Sequence, residues 1–567
     1  MNSQTAVSNS TGMLQETGQR MNHLPFLWLL LFITLVALSI RLYVGAQTFM
    51  SWDEWEHVFI ASGARGIDVR FELNIDAHPP LHITLLRGLL HFGHSKLLYR
   101  FISILSGAGS VFLIGLIGWK ICCSPVVALL CASAFALSEV AISVGVEVRS
   151  YELTVFLVLL AFLFYLELTP RVDNQANLRP YMFFSIATAL AVACHYFAGL
   201  FLGACLIIAP FLVLASLKDG RGLRQFINSR SLLLLAVSLI VPLGVLAFFY
   251  LRHARSQLIQ GYLYDFYWGQ TPYESKTAFL LRNLQNFWNL FSPVMVQSHS
   301  TFLITAAIVC CGAGYILYAS RKIRGSEKDA STVFVMFPVV MIIELIILSY
   351  ARKYPFGGLL RHQYILAPFL VLAAFVLVDR LSALLTPRFR VAILILTGAA
   401  IAINAALPRP NLIMYPGQTI YSREFNNYRS AFPNARGVYL DRFGSIAYFS
   451  HTNEQPRHFV RSIADVVLID QYHIHGGSPE GTEIFYDKTR GNLDLTDQTI
   501  YGSLASVLRQ SGLKELTLFY FRAGDKPFDQ TPDVLKRVIA DTASAQGVAA
   551  KKVVIDRSAV YASFALR

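Results

Sequence analysis

The sequence predicts a polytopic α-helical membrane protein with a small α/β domain at its C-terminal end. Of its 567 residues, 54% are hydrophobic and only 15% are charged, whereas soluble domains carry about 25% charged residues. Apolar runs long enough to span a bilayer, at about 20 residues each, recur along the first 406 residues. After them the pattern changes to short strand-like runs that alternate with helical ones.

Eleven apolar runs are predicted to be transmembrane helices. They occupy residues 25–45, 99–119, 125–145, 151–168, 181–198, 199–217, 231–251, 301–318, 332–350, 363–378 and 390–406. The first run has no small-residue cleavage site, so we interpret it as an anchor rather than a signal peptide. With the N-terminus inside, the basic residues of the short loops fall on the cytoplasmic side, as the positive-inside rule requires. The odd number of helices then places the C-terminal part outside.

This topology predicts three parts of the chain. A polar, disordered cytoplasmic N-terminus occupies residues 1–24, a transmembrane domain with a first outer loop at 46–98 occupies residues 25–406, and an α/β domain occupies residues 407–567. We expect a multi-pass protein of the cell inner (plasma) membrane whose C-terminal domain is periplasmic or extracellular. The predicted strands of that domain are Gly437–Leu440, Asp465–Tyr472, Leu516–Phe521, Val553–Asp556 and Val560–Leu566.

The composition excludes several classes of function. The net charge of +13 does not indicate a nucleic-acid partner, because much of the Lys and Arg lies in short loops between apolar runs, where it sets topology. All seven cysteines lie in or beside apolar runs, so no disulfide framework is expected. His473 and His475 lie two residues apart at a predicted strand end, a pattern more common for surface residues than for metal ligands.

The first outer loop carries ionisable side chains next to the membrane. The segment SWDEWEHVFIASG (Ser51–Gly63) follows the first apolar run and contains Asp53, Glu54, Glu56 and His57. Charge so close to hydrocarbon is costly and usually serves a function. If the segment is helical, Asp53, Glu56 and His57 share one face because of their three- and four-residue spacing.

A rigid corner follows this helix. Pro79 and Pro80 lack backbone donors and push His78 into an extended conformation, so the HPP sequence cannot be helix interior. The two prolines instead suit the start of a second amphipathic helix at Leu81–Phe92. The loop is therefore predicted to hold acidic groups at the edge of the bilayer.

Unusual polar residues collect on the predicted outer side. They are Asp53, Glu54, Glu56 and His57; Asp76 and His78; Glu147 and Arg149; His195 and Tyr196; Arg252, His253 and Arg255; and Arg352, Lys353, Arg361 and His362. The cytoplasmic loops carry basic residues but no comparable mixture of acidic, histidine and aromatic side chains. This asymmetry predicts an active or binding site at the outer boundary of the membrane.

Carboxylates that face arginines at a lipid surface suit a substrate with a lipid-linked phosphate. Arg149, Arg255 and Arg361 can hold a phosphate in fork geometry, and the helix that starts at Arg361 adds a positive dipole end. A phosphate that leaves a sugar needs charge stabilisation rather than a proton. One carboxylate then suffices to take the proton from an attacking hydroxyl.

These motifs resemble the polytopic glycosyltransferases of the protein mannosyltransferase and aminoarabinose transferase superfamily, above all the bacterial family 39 type. Members have the C-type glycosyltransferase fold. The resemblance covers roughly residues 25–380 and depends on the order of the motifs and their positions relative to the spans. The matching residues are Asp53 and Glu54, the HPPL corner (His78–Leu81), Arg100, RSY (Arg149–Tyr151), HYF (His195–Phe197) and RHQY…P (Arg361–Pro368).

The resemblance implies a polyprenyl-phosphate sugar as donor and inverting transfer on the outer side of the membrane. It implies that Asp53 is the catalytic base and that Glu54 positions it or shares its role. A glycan, a lipid or a protein is the hydroxyl acceptor, and the bilayer is the second partner. The side chains expected at the substrate are His78, Tyr151, His195, Tyr196, His362 and Tyr364.

The resemblance also raises a divalent metal ion as a cofactor. Some relatives bind one through an acid just ahead of the proline corner and a later histidine. In this sequence Ala77 stands where that acid is expected, with Asp76 before it and His78 after it. This departure puts metal binding by Asp76 and His78 in question.

Each candidate also has a purely structural interpretation. Asp53 and Glu54 suit the start of a helix, where acids are favoured by the helix dipole. His195 at a helix end can be satisfied by backbone groups, and Arg361 can be an interfacial anchor whose side chain reaches toward water. Arg149 has two possible structural partners, Glu147 and Glu152.

A membrane transporter or a flippase for a phosphorylated lipid-linked substrate is the alternative function. Transporters tend to show repeated halves, with polar residues at the midplane of the membrane or broken helices. This sequence shows no repeat, and the central parts of its spans are mostly uncharged, with Glu139 the chief exception. The pattern therefore favours a transferase.

Overall fold

A computed structural model describes most of the chain. The residues described are 23–62, 78–93, 95–122, 124–168, 178–217, 230–254, 267–268, 274–291, 297–324, 330–406, 418–435, 437–440, 444, 447–448, 455–462, 466–473, 482–487, 495–521, 528–557 and 559–567.

A helix lies within each of the eleven predicted apolar runs. In chain order these helices are α1 (His23–Gln47), α4 (Lys96–Cys122), α5 (Pro125–Ala136), α7 (Ser150–Tyr165), α8 (Leu178–Cys194), α9 (Ala198–Leu217), α10 (Arg230–Phe249), α12 (His299–Arg324), α13 (Ala330–Tyr350), α15 (Leu366–Ala383) and α16 (Pro387–Ala406). Within the described chain, six helices are long and apolar enough to cross a membrane and five more are apolar but shorter. The prediction of a polytopic α-helical membrane protein is confirmed.

The remaining helices lie between or outside the spans, except α6, which lies at the end of the third apolar run. They are α2 (Trp52–Ser62), α3 (Leu81–Leu89), α6 (Glu139–Val144), α11 (Lys276–Phe291), α14 (Leu360–Gln363), α17 (Gln418–Ala431), α18 (Gln498–Ser511) and α19 (Pro532–Ala545).

The third apolar run is not one continuous helix. Helix α5 ends at Ala136, and Ser138 caps the short helix α6, its side chain accepting a hydrogen bond from the backbone N–H of Ala141. Serine at such a position offers the backbone an alternative to the helical ladder, which favours a new helix start. The interruption turns the chain toward the loop at 145–149 that leads into α7.

The helices divide into an inner and an outer set. Large apolar side chains of α4, α7 and α15 are buried in one continuous core. Helix α16 has no buried residue, and α1 exposes large side chains such as Trp28 and Phe32. Exposed apolar surface of this extent suits lipid rather than water.

A buried arginine joins three helices inside the bundle. Arg41 of α1 donates hydrogen bonds to the carbonyls of Ala136 and Ala141, at 3.5 and 3.2 Å, which lie at the end of α5 and within α6. Glycines make room for it, since a Cβ atom at Gly107 or Gly145 would lie 2.6 or 2.8 Å from its Nε atom. A buried charge has to be paired or hydrogen-bonded in this way to be tolerated.

The first outer loop has the predicted helix–corner–helix arrangement. Helix α2 covers nearly the whole segment predicted as helix, and α3 begins directly after Pro80. A short 3-10 turn at Leu90–Phe92 replaces the end of the predicted second helix. The proline corner therefore separates two short helices at one end of the bundle.

The C-terminal part contains a seven-stranded mixed sheet in the order β2-β3-β4-β1-β5-β7-β6. Strand β1 is parallel to both β4 and β5, and the other neighbours are antiparallel. Helices α18 and α19 cover one face in an apolar core with Leu518 and Val560. The strands are β1 (Gly437–Leu440), β2 (Gln455–Ser462), β3 (Val466–His473), β4 (Thr482–Asp487), β5 (Leu516–Phe521), β6 (Val548–Ile555) and β7 (Ala559–Leu566).

A second apolar core joins this sheet to the first outer loop, and we call it the loop–sheet core. Its loop side and its sheet side meet through helix α17, where Tyr428 stacks on Phe519 with ring centroids 4.8 Å apart. Because both parts share one core, they lie at the same end of the helical bundle. Its principal members are Met50, Trp55, Val58, Ile83, Leu86, Tyr99 and Val148 from the loop side, and Tyr421, Phe425, Tyr428, Phe519 and Tyr561 from the sheet side.

Trp55→Ala should lower the stability of the protein, because Trp55 is a fully buried member of the loop–sheet core. Truncation of a buried large side chain leaves a cavity and costs about 3–5 kcal/mol. The midpoint of thermal unfolding of the detergent-solubilised protein measures the loss. The matched control is Trp28→Ala, whose side chain is 62% exposed on α1. Equal midpoints for the two variants would contradict the loop–sheet core.

Candidate active site

The site lies where α2 meets two arginines from distant parts of the chain. Asp53 is in the first turn of α2, and one of its carboxylate oxygens, Oδ2, is 2.7 Å from Nη1 of Arg361 and 3.3 Å from Nη2 of Arg149. The three side chains are between 8% and 20% exposed, so they are reachable from outside the protein while solvent screening is reduced. Asp53 and two of the three arginines expected at one site therefore converge.

Glu54, the neighbouring acid, points in the opposite direction and is fully engaged. Its carboxylate accepts hydrogen bonds from the backbone N–H of Ser51 at 2.7 Å and of Val148 at 3.0 Å. Ser51 in turn accepts from the backbone N–H of Glu54 at 3.1 Å, so the two residues form a capping box at the start of α2. These contacts occupy the Glu54 carboxylate and fix the start of α2.

Arg100 completes the burial of Glu54. Its Nε and Nη2 atoms each lie 3.1 Å from the Glu54 carboxylate. The same guanidinium donates to the backbone carbonyls of Gly45 and Phe49, each at 2.7 Å, and to Thr48. A planar group with five donors can satisfy all these acceptors, which a lysine cannot. Arg100 therefore fixes the end of α1 and the start of α2 to α4.

The loop before α7 is held equally firmly. Ser103 of α4 donates its hydroxyl to the backbone carbonyl of Glu147 at 2.5 Å, and the same carbonyl accepts from the N–H of Arg149 at 2.8 Å. The side chain of Arg149 also hydrogen-bonds to Nε2 of His57. The position of Arg149 beside Asp53 is thus set by contacts to both α2 and α4.

Glu147 is a buried acid in this loop. Burial raises the pKa of its carboxyl to about 8, against the opposing effect of Arg361 and Arg149. Its carboxyl is therefore protonated at neutral pH. The sequence places Glu147 among the outer polar residues but gives it no role, because its burial is visible only in the structure.

The motif RHQY (Arg361–Tyr364) lies on the other side of Asp53 from α2. Burial by itself would lower the pKa of Arg361, but Tyr151 and Asp53 outweigh it and raise that pKa, so the guanidinium stays charged. Burial and the nearby Arg361 lower the pKa of His362 to about 3, so its ring stays neutral at physiological pH. The hydroxyl of Tyr364 donates to Glu152 at 2.5 Å. Tyr364 is fully buried and lies behind the site rather than in it.

Imidazole and phenol rings pack beside these charges. His78 lies 4.7 Å from His195 and 5.6 Å from Tyr151, measured between ring centroids. His57 and His82 add two further imidazoles, 5.5 Å apart. His195 accepts a hydrogen bond from the backbone N–H of Phe197 at 3.0 Å, as its structural interpretation expects. The sequence does not single out His82, which faces inward from α3.

The other predicted residues have different contacts or fall outside the described chain. Tyr196 hydrogen-bonds to His253 at the end of α10. Arg255 and Asp76 lie outside the described residues, as does the position of Ala77. Among the described residues, no group of three or more His, Cys, Asp and Glu side chains is placed to hold a metal ion. Metal ligation by Asp76 and His78 stays a prediction.

No protein-family model and no curated protein sequence matches the chain. Several solved structures are similar to it, and they are membrane glycosyltransferases. ArnT from Cupriavidus metallidurans bound to undecaprenyl phosphate is 12% identical with a TM-score of 0.42, and 74% of each chain is covered. The archaeal oligosaccharyltransferase AglB from Archaeoglobus fulgidus, in complex with an inhibitory peptide and a dolichol-phosphate, is 11% identical with a TM-score of 0.42, over 87% of this chain and 69% of that one.

A third similar structure is the protein O-mannosyltransferase complex of S. cerevisiae bound to the sugar donor. It is 17% identical with a TM-score of 0.33, and the match covers 41% of this chain. This chain spans only about a third of the yeast chain, 34% of its length. The similar structures thus include both kinds of enzyme that the sequence motifs resemble. TM-scores below 0.5 carry no weight for a function, which depends here on the geometry of the site.

Arg100→Lys should destabilise the protein although it keeps the charge, because an ammonium cannot bind Glu54 and the carbonyls of Gly45 and Phe49 at once. Loss of buried hydrogen bonds costs about 1–3 kcal/mol. The midpoint of thermal unfolding measures the effect, with Arg87→Lys on the exposed side of α3 as the matched control. A midpoint equal to that of the control would show that the fork contacts are dispensable.

Proposed function

We propose that this protein is a membrane glycosyltransferase that moves a sugar from a polyprenyl phosphate to a hydroxyl acceptor. The observation that supports this most directly is the carboxylate of Asp53 held between the guanidinium groups of Arg149 and Arg361 at one end of the helical bundle. A single carboxylate beside two fork-shaped cations fits a reaction that needs one base and one phosphate site.

In the proposed reaction Asp53 takes the proton from the acceptor hydroxyl. The acceptor oxygen attacks the anomeric carbon of the sugar, and the bond from that carbon to the phosphate oxygen breaks with its electron pair remaining on the phosphate. Attack from the side opposite the leaving group inverts the configuration. Arg149 and Arg361 stabilise the negative charge that develops on the phosphate.

The contacts of Asp53 explain how base and phosphate site are brought together. Both arginines contact the same carboxylate oxygen, so a phosphate bound by the same guanidinium groups would lie directly beside the base. Glu54 acts in this scheme as a positioning residue, because its carboxylate fixes the start of α2 through Ser51, Val148 and Arg100.

A lipid-linked donor suits the position of this site. The first turn of α2 comes five residues after the end of α1, a helix that exposes apolar side chains along its length. A polyprenyl chain can therefore remain in the bilayer while its phosphate reaches the arginines. The rings of His78, Tyr151 and His195 offer the apolar and hydrogen-bonding surfaces that sugars require.

Asp53→Asn should reduce turnover by about 10²–10⁴-fold, the contribution typical of a positioned general base. Donor affinity should be unchanged or tighter, because the substitution removes a negative competitor for Arg149 and Arg361. Radiolabelled polyprenyl-phosphate sugar measures both transfer and binding. Asp533→Asn, at an exposed position of α19, is the control. Retained turnover in Asp53→Asn would remove the residue from its role as base.

We further propose that transfer occurs outside the cytoplasm of the cell inner membrane, with the N-terminus cytoplasmic. The first outer loop and the C-terminal sheet share the loop–sheet core, so one experiment reports on both. Cysteine at Asp533 should react with a membrane-impermeant maleimide in intact cells. Cysteine at Glu167, at the opposite end of the bundle beside Lys120, should react only after permeabilisation. The reverse pattern would invert the topology.

A further inference from the structure

One titratable group of the site, Glu147, has no part in the reaction described above. Glu147 is 4% exposed, and its Oε1 atom has no hydrogen-bond partner in the part of the chain that the structure describes. A buried polar atom without a partner costs about 1–3 kcal/mol, so such groups persist where they serve a function.

Hydrogen bonds to the backbone fix the position of Glu147 in the site. The carbonyl of Glu147 is fixed by Ser103 at 2.5 Å and by the N–H of Arg149 at 2.8 Å. The next residue, Val148, donates its N–H to Glu54 at 3.0 Å. Three separate hydrogen bonds therefore hold this acid in the site.

Charged and titratable groups from several elements interact with the carboxyl, among them the hydroxyl of Tyr364. Arg361 comes from α14, Asp53 and Glu54 from α2, and Arg149 from the same loop, and each of them interacts with Glu147 electrostatically. The hydroxyl of Tyr151, at the start of α7, also interacts with it. Burial and the two neighbouring carboxylates raise the pKa of Glu147, so its carboxyl is neutral at physiological pH.

A phosphate that enters between the two arginines would be repelled by a third carboxylate. A protonated carboxyl has the opposite effect, since it donates a hydrogen bond to a phosphate oxygen. We propose that Glu147 is a third ligand of the donor phosphate and binds it in protonated form. This inference rests on the proposed function, since it requires the phosphate site between Arg149 and Arg361.

The sign of the pH dependence follows from the direction of the pKa shift. Below pH 8 the carboxyl of Glu147 carries its proton and binds phosphate, and above pH 8 it loses the proton and repels phosphate. A phosphodiester keeps one negative charge across this range. A change in its affinity therefore reports on the protein and not on the ligand.

The test measures binding of a farnesyl methyl phosphodiester to the full-length protein in nanodiscs between pH 6.5 and 9.5. Wild-type affinity should fall about tenfold from pH 7 to pH 9, because the protonated fraction falls tenfold across a pKa of about 8. Glu147→Gln keeps a donor that cannot ionise, so its affinity should stay within about threefold of wild type at pH 7 and should not change with pH. Glu147→Ala should bind about tenfold more weakly at pH 7.

Two further variants separate this inference from the proposed function. Arg361→Ala should weaken binding at every pH, and Glu167→Gln, at the other end of α7, should behave as wild type. If Arg361→Ala weakens binding but Glu147→Gln binds as poorly as Glu147→Ala, or the wild-type affinity is independent of pH, the role of Glu147 is wrong and the phosphate site stands. If the wild type does not bind the diester, or Arg361→Ala binds it as the wild type does, both the phosphate site and the inference fail.

Discussion

The buried ion pair of Glu54 and Arg100 is the contact on which the geometry of the site depends. It joins the end of α1, the start of α2 and the loop before α7 to the long helix α4. Two buried charges are stable in apolar surroundings only when all their polar atoms are satisfied, so the pair tolerates little displacement. This constraint also determines the position of Asp53. Once the first turn of α2 is fixed by its neighbour, Asp53 has to face Arg361 and Arg149.

The ionisable side chains of the site differ in their charge. Asp53 carries a negative charge between two arginines, while Glu147 and His362 stay neutral because burial opposes their ionisation. The site therefore has a surplus of positive charge from Arg149 and Arg361. Such an arrangement suits a ligand with one strongly anionic group.

The sequence predicts the helices well because a bilayer demands about 20 apolar residues from each span. It does not predict β2 (Gln455–Ser462), which mixes charged and apolar residues, or α17, whose aromatic side chains are buried against a different part of the chain. The convergence of acid and arginines follows from the predicted topology. The roles of Glu54 and Glu147 do not, because they depend on burial and on a contact to Val148 that spans 94 positions.

The loop–sheet core also has a consequence for biosynthesis. This core joins apolar residues of α2 to residues of α17 and β7, which are made at least 360 positions later. At about 10 residues per second, roughly half a minute separates the two events. The nascent chain therefore carries an incomplete loop–sheet core until its last strand has been made. Ribosomal products that stop short would be unstable, and quality-control proteases would meet them with exposed aromatic side chains.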